Sequence, residues 1–135
     1  MAAKTKKEYV YAVGRRRTAS ARVRVHKGTE ESTVNGVVIG KYFGAAFLTS
    51  LWQKPFTTTN TIGKYYVTAK VSGGGKQGQL TAVMHGISRA LAATNEAFRE
   101  PLKAADLLTR DSRIRQRRHV GTGGKARRKK SSPKR

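Results

Sequence analysis

The chain has no cysteine, so neither a disulfide framework nor a thiolate metal site is available to it. It is also poor in acid, with seven Asp or Glu against 29 Lys or Arg and a formal net charge of +22 over 135 residues. Those few carboxylates are scattered and suggest no pair for general acid–base work. His26, His85 and His119 are far apart in sequence, without metal-ligand spacing. No nucleophile–base–orienter set stands out, so no catalytic residue, metal or cofactor is expected. No apolar run reaches the roughly 18 residues needed to span a bilayer. The N-terminal lysines are not followed by an apolar segment, which argues against a secretory signal.

The sharpest deficit is local. Between Ser112 and Arg135 there are eleven Lys or Arg and no acid at all. Charge of one sign at that density repels itself and buries too little apolar surface to fold alone. Such a segment orders against a polyanion, and phosphates release condensed counterions when they are bound. A membrane surface fits poorly, because the segment offers only Ile114 and Val120 as large aliphatics and so builds no amphipathic helix. The expected partner is nucleic acid, and RNA before DNA.

Charge is uneven elsewhere too. Residues 1–27 hold nine Lys or Arg and one acid, whereas residues 28–109 hold eight and five. A nearly neutral middle between two basic ends is large enough for one small core. Tyr9–Val13 reads as a short strand and Gly14-Arg15-Arg16-Arg17 as a basic turn. Ala19–His26 alternates, with Ala21, Val23 and Val25 facing one way and Arg22, Arg24 and His26 the other, which predicts a half-buried strand. The neighbouring Arg15–Arg17 makes the polar side of that strand a candidate phosphate-facing surface.

Asn35-Gly36 between Ser32–Val34 and Val37–Ile39 signals a two-residue hairpin, or an arm leading straight into a helix. Phe43, Ala46, Phe47 and Leu51 fall at helical spacing, and Pro55 is expected to end that helix. Phe43, Phe47 and Trp52 read as core. In Tyr65–Val71 the residues Tyr65, Val67, Ala69 and Val71 alternate with Tyr66, Thr68 and Lys70. Leu80, Val83, Met84, Ile87 and Leu91 then make a helical stripe. Asn95 is a candidate cap, and Pro101 suits the first turn of a short helix with Leu102 and Ala105 inward.

Gly73-x-Gly75-x-x-Gly78 lies between a strand and a helix, as a dinucleotide fingerprint requires. No acid ends a second strand about 20 residues on, and the repeated βαβ units of a nucleotide fold are missing. A nucleotide-dependent enzyme is therefore the weaker reading, alongside a general nucleic-acid compactor. The glycine run serves equally as a tight turn or as an anion-binding helix entry.

Several stretches together resemble one family, the S-nine family of small-subunit ribosomal proteins in its bacterial type. They are Gly14-Arg15-Arg16-Arg17-Thr18-Ala19-Ser20-Ala21-Arg22-Val23, Val34-Asn35-Gly36, Tyr42-Phe43, the glycine run with Gly78-Gln79, His85-Gly86-Ile87-Ser88-Arg89-Ala90-Leu91, Leu107-Leu108-Thr109-Arg110-Asp111, Lys125-Ala126-Arg127-Arg128 and terminal Lys134-Arg135. They occur in the family's order and cover nearly all the chain after residue 8. The chain departs from the family near its end, where Lys129-Lys130-Ser131-Ser132-Pro133 replaces the more usual Ala-Pro-Gln-Phe-Ser.

The resemblance implies a two-layer α/β (α+β) domain with a mixed, mainly antiparallel sheet and helices on one face. It also implies a left-handed crossover, as in the ribosomal-S-five-domain-two-like fold, and an extended basic C-terminal tail. Expected boundaries are a basic extension over 1–8, a globular RNA-binding domain over 9–111, and a tail over 112–135 ordered on RNA. The implied role is structural, not enzymatic, in the head of the small subunit of a cytoplasmic ribosome, an organellar one being left open. Partners would be small-subunit ribosomal RNA, peptidyl-site tRNA and neighbouring head proteins. Ribosomal RNA would be held by Arg15, Arg16, Arg17, Arg22, Arg24, Lys76, Arg89 and Arg110, and along the tail by Arg113, Arg115, Arg117, Arg118, Lys125, Arg127, Arg128, Lys129 and Lys130. Lys134 and Arg135 would meet the tRNA.

Overall fold

Tyr9–Arg16 (β1) and Ala19–Lys27 (β2) pair antiparallel over their whole length, from Tyr9 opposite His26 to Arg16 opposite Ala19. The computed structural model that shows this describes residues 8–44 and 51–120. The turn is Arg17-Thr18, and Arg17 sits in the left-handed region at φ 56°. The expected Gly14–Arg17 turn is therefore three residues too early. Gly14, Arg15 and Arg16 continue the strand, because each still has a β2 partner to satisfy its backbone.

Thr33–Val34 (β3) and Val37–Val38 (β4) flank Asn35 and Gly36, both at positive φ (52° and 82°), the geometry this hairpin turn demands. The second arm does both things expected of it, since Ile39–Phe43 (α1) follows at once. Lys54–Thr59 (α2) has Pro55 in its first turn, so Pro55 starts a helix where it was expected to end one. Its missing N–H costs nothing at that position. Phe43 and Trp52 are buried as expected, whereas Ala46 and Phe47 lie outside the described residues and Leu51 is exposed.

Tyr65–Ser72 (β5) joins β2 antiparallel and β3 parallel, giving a five-stranded mixed sheet in the order β1-β2-β5-β3-β4. Asn35 completes this junction. Its amide donates to the Val71 carbonyl (3.1 Å) and accepts from the Val71 N–H (2.9 Å), extending the β3–β5 ladder with a side chain.

Lys76–Thr94 (α3) lies across the inner face, over β1 and β2. Leu80, Val83, Ile87 and Leu91 of the expected stripe are buried there against Ala21, Val23, Val25, Val67, Ala69 and Val71; Met84 is half-buried. Helix and sheet approach so closely at one point that two glycines face each other. A Cβ on Gly14 would collide with the Ala82 carbonyl oxygen and lie 2.5 Å from the Gly86 nitrogen, and one on Gly86 would lie 2.6 Å from Val23 Cγ2. Asn95 ends α3 and accepts from the Ala97 N–H, capping a 3₁₀ turn over Glu96–Phe98. Arg99–Ala104 (α4) carries Pro101 in its first turn and buries Leu102 fully, with Ala105 half-buried. The fold is thus a mixed α+β domain, with α3 on one sheet face and the other face open. From Ser112 to His119 the chain is exposed and irregular.

Candidate nucleic-acid interface

Three basic surfaces emerge from this framework. The first is the outer sheet face. The strand register puts Tyr9, Tyr11, Val13 and Arg15 of β1 beside His26, Arg24, Arg22 and Ser20 of β2, which stand beside Tyr66, Thr68, Lys70 and Ser72 of β5. Side chains on one face recur every second residue, so the alternation that buries Ala21, Val23 and Val25 presents Arg22, Arg24 and Lys70 to solvent. They line an open trough of about 770 Å³ with Tyr9, Tyr11, Thr33 and the Asn35-Gly36 turn. The Arg24 guanidinium lies 4.8 Å from the centre of the Tyr9 ring.

His26 was expected on this solvated face and is buried instead. Its ring stacks on Tyr66 at 4.8 Å, tilts against Tyr9 at 5.5 Å, and its Nε2 is 2.9 Å from the Thr68 hydroxyl. Two large neighbouring rings cover it, which strand alternation alone does not reveal.

The second surface is a cleft of about 280 Å³ lined by Arg15, Arg89 and Arg110 with Val13 and His85. Arg89 Nη1 donates to the Val13 carbonyl at 2.6 Å, so it occupies an acceptor on the edge strand β1. His85 Nε2–H donates to the Leu108 carbonyl at 3.2 Å, and its buried Nδ1 has no partner among the described residues. Burial pushes the His85 pKa down; the Leu108 carbonyl opposes this, and the charges of Arg89 and Arg110 add to it. The imidazole is therefore kept neutral among cations.

The third surface, about 460 Å³, gathers Arg16, Arg17 and Thr18 of the first turn with Gly74, Gly75, Lys76, Gln77 and Gly78 at the start of α3. Gly73 and Gly74 are at positive φ, 76° and 62°, and the backbone of Thr18 and Ala19 crosses too close for a side chain on Gly73. The glycine run thus lets two loops stack, a packing reason that a dinucleotide reading does not need. Gly75 caps α3 without a side-chain hydrogen bond. Lys76 Nζ sits 3.4 Å above the Tyr42 ring, whose hydroxyl donates to Gln79 Oε1.

Arg16 links this surface to the start of the tail. Its Nη1 donates to the Arg113 carbonyl at 2.7 Å and its Nη2 lies 3.4 Å from Asp111. Arg113 closes on the same carboxylate at 2.8 Å. Those Arg113 hydrogen bonds hold the Asp111 carboxyl well below the ordinary carboxylate range. Asp111 is the last acid in the sequence, so this cluster is the root of the basic tail. Arg115, Arg117 and Arg118 beyond it are exposed. Lys125, Arg127, Arg128, Lys129, Lys130, Lys134 and Arg135 lie outside the described residues.

The arrangement therefore collects cations from distant parts of the chain, and no cluster among the described residues is able to hold a metal. No helix among them is long and apolar enough to cross a membrane. Sequence reasoning had not singled out Tyr9, Tyr11 and Lys70 as site residues, although their alternation with buried neighbours carries the signal. Asp111 as a tail anchor had no signal at all, since its partner Arg16 is 95 residues away.

Residues 14–135 match the model of the family described as ribosomal protein S9/S16. The chain belongs to that family. It is 47% identical over 114 residues to the small ribosomal subunit protein uS9 of Desulfotalea psychrophila, covering 84% of this chain and 88% of that one. It is 44% identical over 118 residues to uS9 of Maridesulfovibrio salexigens (87% and 91%), and 44% identical over 111 residues to uS9 of Syntrophobacter fumaroxidans (82% and 85%). Proteins of this family are structural and not enzymes, so the glycine loop is not a catalytic nucleotide site.

Proposed function

We propose that the chain is a structural constituent of the small ribosomal subunit that binds small-subunit ribosomal RNA in the head, beside neighbouring head proteins of a cytoplasmic ribosome. Its tail tip meets tRNA in the peptidyl site. The observation that carries this reading is the placement of cations in a member of the family. Arg22, Arg24 and Lys70, then Arg15, Arg89 and Arg110, then Arg17 and the start of α3 form three basic patches. The acid-free segment leaves the domain from the Arg16–Asp111–Arg113 root. Contacts of this kind position a protein on RNA through phosphate, while shape supplies most of the discrimination.

Residues 9–111 would act as the docked domain and 112–135 as an arm ordered on RNA. Binding of small-subunit ribosomal RNA by the full chain should weaken steeply with salt. Replacing Arg127, Arg128, Lys129 and Lys130 with Ala should flatten the log–log slope by about 3, at about 0.7–0.9 per phosphate contact. An unchanged slope would take those side chains off the RNA. Deleting Ser131–Arg135 removes two of the 29 basic residues, so subunits should assemble normally yet hold peptidyl-site tRNA more weakly. Equal tRNA affinity at full occupancy over a range of salt would remove the tip from that contact.

A further inference from the structure

The outer sheet face carries more than phosphate-binding charge. Its side chains form a grid whose rows are set by the strand register. One row is aromatic, with Tyr9, His26 and Tyr66 packed together. The next holds Tyr11, Arg24 and Thr68, and the next Val13, Arg22 and Lys70. Arg22 and Lys70 are directly opposed, a like-charge pairing that disfavours the folded sheet until an anion lies on it. No Asp or Glu lines the trough to relieve them. Tyr9 already contacts Arg24 and His26. Tyr11 is 50% exposed and has no ring or cation contact among the described residues.

An A-form duplex offers such a ring nothing, since its bases are stacked on one another and it is recognised through backbone, 2′-hydroxyls and shape. A single strand offers a π-face at every nucleotide, and aromatic rings interleaved with cations are how single strands are held without a fixed sequence. We propose that the outer sheet face is a single-strand platform, on which an unpaired RNA base stacks on Tyr11 while flanking phosphates lie on Arg22 and Lys70. This rests on the ribosomal RNA reading above and narrows it, at this face, to an unpaired stretch of that RNA.

The test uses the full chain and two probes, an unstructured oligoadenylate of about ten nucleotides, within the site sizes of single-strand binders, and a short RNA duplex. Tyr11→Ala should weaken oligoadenylate binding by about 5- to 140-fold, Tyr11→Phe should leave it unchanged, and neither should alter duplex binding. Because the tail also binds RNA, ultraviolet cross-linking to small-subunit ribosomal RNA provides a local readout. A nucleotide adduct is expected on the tryptic peptide spanning residues 8–15, and it should vanish in Tyr11→Ala. Unchanged single-strand affinity with no adduct overturns the platform, as do equal losses in Tyr11→Ala and Tyr11→Phe. A Tyr11-dependent complex with an oligoglutamate peptide but not with RNA would assign the face to a protein and overturn it as well. If all variants bind ribosomal RNA alike, only the platform falls; if the unaltered chain does not bind it, the wider reading falls first.

Discussion

The contact between β1 and α3 gives the most quantitative handle on this fold. Gly14→Ala adds one methyl group at a point where everything it meets is backbone. The new carbon would collide with the Ala82 carbonyl oxygen and lie 2.5 Å from the Gly86 nitrogen and 2.9 Å from the Ala82 carbonyl carbon. Ordinary contact between heavy atoms is about 3.5–4.0 Å, so α3 must retreat from the sheet by about 1 Å or more. Backbone cannot rotate out of the way as a side chain can. The retreat loosens a layer in which Val23, Val83, Ile87 and Leu91 are fully buried.

Overpacking of well-filled cores typically costs about 1–3 kcal/mol and occasionally more; a backbone-only clash belongs at the upper end, about 3 kcal/mol. At about 4–8 °C per kcal/mol for a domain of this size, the full chain should melt more than about 10 °C lower by circular dichroism. Gly86→Ala meets a side chain, Val23, at 2.6 Å, and it gains helix propensity of about 1 kcal/mol, so it should cost less. Gly75→Ala, with nothing within 4 Å, should stay within about 1 kcal/mol, the scale of an N-cap change. A Gly14→Ala protein melting within about 3 °C of the parent would refute this account of how the helix is seated.

Asn35→Ala should destabilise by about 1–3 kcal/mol, because it strands the Val71 N–H and carbonyl and places alanine at φ 52°; urea titration measures it. The lowered His85 pKa means that folding favours the neutral ring, so its contribution is complete above the unfolded value of about 6.5 and is lost as pH falls from there through the folded value. The stability difference between the parent and His85→Gln should therefore shrink as pH falls through that window, and pH-independence of the difference would exclude burial as the cause. Asp111→Asn should free Arg16 and Arg113 without unfolding the domain, seen as faster backbone dynamics by NMR for residues 112–120 in the free protein; unchanged relaxation would mean that the tail root is held by something else.

The elements legible in the sequence are those with a strict period. Alternation in Ala19–His26 and Tyr65–Val71 and the i, i+3, i+4 stripe from Leu80 to Leu91 each matched the observed strand or helix, because each carries its own buried face. The errors have local physical causes. Gly14-Arg15-Arg16 looks like a turn from composition, yet the glycine is there for close helix approach and the arginines complete a strand. Pro55 looks like a stop after the preceding apolar stretch, yet its position in the first turn of the next helix makes it a start. His26 lies on the polar side of its strand but is sealed by Tyr9 and Tyr66 from the neighbouring strands. No window along β2 contains those two residues.

The same distinction governs the basic residues. Sequence weighs every arginine alike, whereas the fold assigns them different first tasks. Arg89 occupies an edge-strand carbonyl, Arg16 ties the β1–β2 turn to the tail, and Arg113 is spent on Asp111. Arg22 and Lys70 have no such partner among the described residues and face each other across β2 and β5. An anion lying between Arg22 and Lys70 relieves a repulsion already built into the sheet, while one approaching Arg16 or Arg113 competes with an existing carboxylate. Substitution at Arg22 should therefore act mainly on RNA affinity, and substitution at Arg16 mainly on where the tail begins. The tail root lies beside Arg17 and the entry to α3, so the arm departs from a basic surface. On the proposed RNA reading, that placement would keep the first phosphates the arm meets continuous with those on the domain, and the root itself is set by a single acid, Asp111, standing just before the acid-free segment.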